Sequence, residues 1–153
     1  MAVNMNDKSK IRNLCTYPIS WKKITSTGDE YIKASASMPI ANFEIEAQVE
    51  SGNVFLGGVD RLGSHAMTYI ENEELREQLK FDDKAENRKQ LIVDNEKCEY
   101  ILNLKTFSSF KKNVEETIVT QHEKIKIIEV ARKIKLNDYE KIKFLESYCK
   151  MTF

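Results

Sequence analysis

From Phe43 to Glu50 every second residue is apolar: Phe43, Ile45, Ala47 and Val49 alternate with Glu44, Glu46, Gln48 and Glu50. A period of two marks a strand with one buried face, so this octet constrains the fold more than any other stretch. It predicts a strand with Phe43, Ile45 and Val49 in the core and Glu44, Glu46 and Glu50 in solvent. Ser51-Gly52-Asn53 then reads as a turn, and Val54–Val59 as the next strand. Upstream, Ile19–Ile24 around Trp21 and the alternating run Tyr31–Met38 read as two further strands. Thr25–Asp29 is the turn between them, and Pro39 is a stop, since proline has no N–H to give a ladder. Short turns between successive strands favour an antiparallel meander.

Beyond Ile70 the pattern changes. Asn72 followed by Glu73 and Glu74 predicts a short capped helix, its acids set against the positive end of the helix dipole. Lys89–Val93 and Cys98–Leu104, separated by four polar residues, predict a second hairpin. After Ser109 the spacing becomes three and four: Phe110, Val114, Ile118, Gln121, Ile125 and Ile128 trace one helical stripe. Asn137 with Glu140 resembles a capping box opening a last helix, on which Tyr139, Ile142, Leu145 and Tyr148 face one way. The expected fold class is α+β, an antiparallel sheet followed by a C-terminal helical pair. Residues 1–153 are expected to form one domain, with 1–14 flexible, 15–104 mainly β and 109–150 mainly α.

A chain of 153 residues with 41% hydrophobic and 31% charged residues can bury a core and is unlike a disordered segment. Its net charge of zero hides an uneven spread: residues 28–77 are strongly acidic, and those from 105 onward carry an excess of lysine. Cys15, Cys98 and Cys149 are far apart, with no C-x-x-C pair, so neither a disulfide framework nor a zinc site is implied. No cofactor is implied either. The first ten residues contain no apolar signal region, so the expected location is cytoplasmic.

One cluster mixes acid, base and nucleophile: Asp60, Arg61, Ser64 and His65, in a loop spaced by Gly57, Gly58 and Gly63. His65 has the side chain suited to general base catalysis near neutral pH, with Asp60 to orient it and Arg61 to hold an anion. That set would centre a small hydrolase or a nucleotide-binding enzyme. The glycine spacing fits neither a P-loop nor a dinucleotide fingerprint, and a bulged turn accounts for it equally. The lysines of the last third, among them Lys111, Lys124, Lys126, Lys133, Lys141 and Lys143, suit a nucleic-acid-binding accessory protein. Glutamates interleave with them, as on a solvated helix face. The broadest surface feature is acidic: Glu44, Glu46 and Glu50, with Glu71, Glu73 and Glu74 nearby. A single-sign surface steers a partner of opposite charge. The leading expectation is therefore a small non-enzymatic protein that binds a basic partner. Its sharpest form is an inhibitor or regulator of a nucleic-acid-handling enzyme, of the type phages and mobile elements carry against host defences.

Overall fold

In the computed structural model, which describes residues 3–153, the chain separates into two units, one ending at Ile92 and the other running from Val93 to Phe153. The architecture is α+β, with antiparallel sheets in the first unit and helices throughout the second. Among the described residues no helix is long and apolar enough to cross a membrane.

The first unit is built on a strand that composition conceals. β1 (Lys8–Asn13) lies at the centre of a three-stranded antiparallel sheet, between β4 (Ser37–Ala41) and β5 (Thr68–Ile70). Lys8 stands opposite Ala41, and Ile11 opposite both Met38 and Ile70. This replaces the flexible reading of residues 1–14 over Lys8–Asn13, while residues 1 and 2 lie outside the described residues. The stretch looked loose because its inward positions are Ser9, Ile11 and Asn13, only one of them apolar. Hydrogen bonds make the other two tolerable inside. Ser9 Oγ donates to Asn42 Oδ1 at 2.5 Å and accepts from Asn72 Nδ2 at 2.9 Å. Asn13 Nδ2 reaches the carbonyls of Tyr17, Ile32 and Lys33, and its Oδ1 accepts from the Cys15 N–H.

β2 (Ile19–Lys22) and β3 (Asp29–Ile32) form a separate two-stranded sheet. The run Tyr31–Met38 is therefore not one strand. A turn closed by the Ala36 N–H on the Lys33 carbonyl interrupts it, with Ser35 left-handed at φ 60°, and its two halves join different sheets.

The octet that seemed most clearly a strand is a helix, α1 (Asn42–Glu50). Asn42, Glu44, Ile45, Gln48 and Val49 are buried, a set that fits one side of a 3.6-residue period. Phe43, expected in the core, is 42% exposed, whereas Glu44, expected in solvent, is 4% exposed. The two periods compete because Ile45 and Val49 are compatible with both. Two buried polar side chains, Glu44 and Gln48, which the alternation assigned outward, decide for the helix. Val54–Val59 is likewise no strand: α2 (Val54–Gly57) is one helical turn capped by Asn53, whose side chain accepts from the Phe55 N–H. α3 (Glu73–Gln78) follows as expected, with Asn72 Oδ1 accepting from the Leu75 N–H. Ile11, Trp21, Ile32, Ile45, Leu56, Ile70, Leu75 and Phe81 are the main members of this unit's core. Arg76 is buried across it, giving Nε to Asp82 Oδ2 at 3.0 Å and Nη1 to the Ile70 carbonyl at 2.6 Å.

The second unit contains α4 (Asn95–Leu102), α5 (Phe107–Thr117), α6 (Gln121–Lys133) and α7 (Tyr139–Cys149). The predicted hairpin is thus replaced by α4, capped by Asp94 on the Lys97 N–H, with Cys98, Ile101 and Leu102 buried. The stripe from Phe110 to Ile128 holds, but it spans two helices, and Gln121 on it is exposed. They part at Ile118–Thr120, where β-branched side chains resist the helix. Glu123 Oε1 accepts the N–H groups of Val119 and Thr120 there, satisfying the start of α6. Asp138, not Asn137, caps α7. Lys141 is buried, and its ammonium donates to the carbonyls of Leu102 and Leu104 at 2.8 and 2.6 Å, holding the end of α4 against α7.

Candidate functional site

The six carboxylates expected to form one acidic face are divided by the fold. Glu44 is an internal strut: its carboxylate accepts the Ile24 and Thr25 N–H groups, the Thr25 hydroxyl and the Gln48 amide. Burial works to raise its pKa, but those donors from Thr25, Ile24 and Gln48 outweigh it and hold the carboxyl below the usual range. Glu44 is therefore removed from any contact surface. Glu71 lies 4.0 Å from Arg12 Nε. With Glu73 and Glu74 it also lines an open groove of about 530 Å³ whose other walls include Lys8 and Lys10.

Four acids keep the expected character. Glu46, Glu50, Glu73 and Glu74 make no ion pair among the described residues. α1 and α3 meet where Gln78 Nε2 approaches Glu46 Oε2 at 3.4 Å. Glu50 follows Glu46 by one helical turn, and Glu74 precedes Gln78 by one, so the two helices carry a shared acidic border. The acidic surface is helical, not a sheet face.

The loop from Gly57 to Ala66 is specified by its own backbone. Asp60 Oδ1 accepts the N–H groups of Leu62 and Ser64 at 2.8 and 3.2 Å, and Arg88 approaches Oδ2 at 3.6 Å. Partial burial pushes the Asp60 pKa up, but the Ser64 hydroxyl, those two N–H groups and the Arg88 charge outweigh it, leaving the carboxyl below its ordinary value. Ser64 Oγ also accepts from Arg88 Nη2 at 3.0 Å. Gly58, at φ 70°, has the Ser64 carbonyl where a Cβ would stand, and a Cβ on Gly63 would come within 2.7 Å of the Phe81 ring. Both must be glycine for steric reasons. Arg61 is left-handed, with its guanidinium lying beside Gly52. His65 is left-handed too and gives its N–H to the Leu91 carbonyl. Asp60 and Ser64 are thus brought together by Arg88, which the sequence reading missed, and their polar groups brace the loop. The arrangement of Asp60, Ser64 and Arg88 serves a bulged turn.

All three cysteines are buried. Burial pushes the Cys98 thiol up to about 12 and that of Cys149 to about 11, far from the thiolate that nucleophilic chemistry requires. Among the described residues no group of three His, Cys, Asp or Glu side chains is placed to hold a metal ion. His122 is buried with Nδ1 2.8 Å from the Thr120 hydroxyl.

The lysines of the second unit are arranged differently from the interleaved i,i+4 ion pairs that their spacing suggested. Lys126 and Lys141 are buried. Lys97, Lys111, Lys124 and Lys143 lie over the rings of Tyr100, Phe144, Tyr148 and Tyr139, with Nζ 5.1 to 5.9 Å from the centroids. None of the four forms an ion pair among the described residues. Two of these contacts were readable as local pairs, Lys97 with Tyr100 and Tyr139 with Lys143. The other two join different helices and needed the fold. The rings themselves form a chain: Phe107 meets Phe144 edge to face at 6.0 Å, and Phe144 stacks on Tyr148 at 5.6 Å.

Comparison with known proteins finds no matching family model, curated protein or solved structure.

Proposed function

We propose that this chain is a small non-enzymatic protein that binds a basic macromolecular partner through α1 and α3. The observation that carries the reading is the set Glu46, Glu50, Glu73 and Glu74, whose charges no cation of the described residues pairs. Carboxylates held outside ion pairs on adjoining helices give a negative potential that steers a positive surface. Proteins that handle nucleic acid carry such surfaces for phosphates. The sharpest form of the reading is an inhibitor or regulator that occupies one of them in the cytoplasm, as anti-defence proteins of phages and mobile elements do. The Asp60–His65 loop has a structural part in this account, since its polar groups are used to hold its own backbone.

The test is affinity capture from the host with the parent chain and with a variant carrying Glu46→Gln, Glu50→Gln and Glu74→Gln. The expected result is one stoichiometric basic partner retained by the parent and lost from the variant at moderate salt. Equal retention by both would move the contact away from α1 and α3. A nucleotide or phosphoester hydrolysis abolished by His65→Ala, with the melting temperature unchanged, would replace the binding reading with an enzymatic one.

A further inference from the structure

We propose that the second unit carries a separate binding surface for single-stranded nucleic acid, formed where the first turns of α5 and α7 lie together. The geometry begins with Lys141, whose ammonium bonds to the Leu102 and Leu104 carbonyls draw the segment leading into α5 against α7. Phe107, in the first turn of α5, then packs edge to face on Phe144 of α7. Tyr139, the first residue of α7, is 73% exposed, more than any other large hydrophobic side chain among the described residues, and Phe107 is 36% exposed. Lysines surround these rings. Lys143 lies over Tyr139, Lys111 lies over Phe144, and Lys105 is exposed just ahead of Phe107.

Two features favour this occupant. First, Lys105, Lys111 and Lys143 have no carboxylate partner among the described residues, so their charges remain for an external anion. The acids nearest these lysines in sequence are Glu140 and Glu146, three residues either side of Lys143, and Glu115, four beyond Lys111. None of them pairs with these lysines among the described residues, while Asp138 caps α7 on the Lys141 N–H. Second, exposed rings and ammonium groups lie together on this surface, the two chemistries that a strand of bases and phosphates requires. A base stacks on an aromatic face whatever its identity, and phosphates meet the lysines. The bases must be unpaired, because a duplex keeps its base faces stacked inside. Little sequence preference is expected, since neither stacking on a ring nor a lysine contact reads a base edge.

The experiment is fluorescence anisotropy of the full chain with a labelled 15-nucleotide single strand, the same sequence as a duplex, and polyglutamate of equal charge. Saturable binding that prefers the single strand is expected. Tyr139→Ala should weaken it about tenfold, the effect of losing one stacking contact. Because Tyr139 is so exposed, its melting temperature should not change. Replacing Lys105, Lys111 and Lys143 with Gln should reduce the slope of log affinity against log salt by about 2, given roughly 0.7 per phosphate for single strands. Absence of saturable binding, polyglutamate bound as tightly as the strand, a preference for duplex, or an unchanged affinity in Tyr139→Ala would each overturn the proposal.

Discussion

The two units deal with charge differently, although Arg12 and Arg76 of the first also lie over the Tyr69 ring. In the first unit cations are matched to carboxylates: Arg12 with Glu71, Lys23 with Glu30, Arg76 with Asp82, Lys84 with Glu77, and Arg88 with Asp60. In the second, Lys97, Lys111, Lys124 and Lys143 rest on aromatic rings, and Lys141 bonds helix-end carbonyls beside the Phe110 ring. The residue from each strategy differs in sign. In the first unit Glu46 and Glu50 on α1 and Glu73 and Glu74 on α3 stand outside these pairs. Ring contacts keep the ammonium charge intact in the second. A chain with no net charge can thus present an acidic surface and a basic one, a distinction that the total conceals.

The sharpest way to break this comparison is inside the first unit. Arg76→Ala leaves Asp82 buried and unpaired, so it should cost about 3–5 kcal/mol in urea unfolding. A loss below about 1 kcal/mol, on the scale of an exposed pair, would mean that the pair is solvated and the first unit's charge matching is superficial. Lys141→Ala tests the corresponding point in the second unit. Two helix-end carbonyls lose their donor, and the expected cost is about 1–3 kcal/mol. Lys141→Met, which keeps the packing stem, should cost nearly as much if the hydrogen bonds matter, and clearly less if packing does.

Glu44 sharpens the comparison through pH. Its folded pKa is depressed, so its contribution is complete above the unfolded carboxylate value of about 4.3 and is lost as pH falls through the folded pKa. Asp60 acts in the same sense from the unfolded value of about 3.9. Stability measured between pH 7 and pH 2 should fall on the acid side, and Glu44→Gln should be less stable at pH 7 with a shallower acid slope. An unchanged slope would show that the strut is not charged in the folded state. The smallest effect is expected at the proposed contact itself: Glu46→Gln with Glu50→Gln should alter stability by no more than about 0.5 kcal/mol, as exposed substitutions do.

Some of this was legible from residue order and some was not, for identifiable reasons. α3 was readable because Asn72 announces its own cap, and the helical character of α5 to α7 because apolar residues recur at helical spacing, although α5 and α6 were read as one helix. α1 was misread because Ile45 and Val49 satisfy both periods, and the deciding residues are polar ones whose partners lie far along the chain. Glu44 finds Ile24 and Thr25, and Asn42 finds Ser9. β1 was missed for the same reason. Ser9 and Asn13 look like surface until their partners are known. The acidic residues were correctly noticed as a concentration, but which of them remain outside depended on the helix. Arg88, Phe107 and Phe144 gave no local signal, since each acts through contacts with distant residues.

The central claim is that the unpaired charges of the two units are separate contact surfaces. Its most direct test is one reciprocal measurement: association of the captured partner and of the single-stranded oligonucleotide with two variants across a salt series. One variant carries Glu46→Gln, Glu50→Gln and Glu74→Gln, and the other carries Lys105→Gln, Lys111→Gln and Lys143→Gln. The acidic variant should bind the partner about tenfold more slowly at low salt, with the deficit shrinking as salt rises, and should bind the oligonucleotide no more weakly than the parent. The lysine variant should show the reverse. If the lysine variant loses the protein partner while the acidic variant keeps it, α1 and α3 are not the contact and the account is wrong.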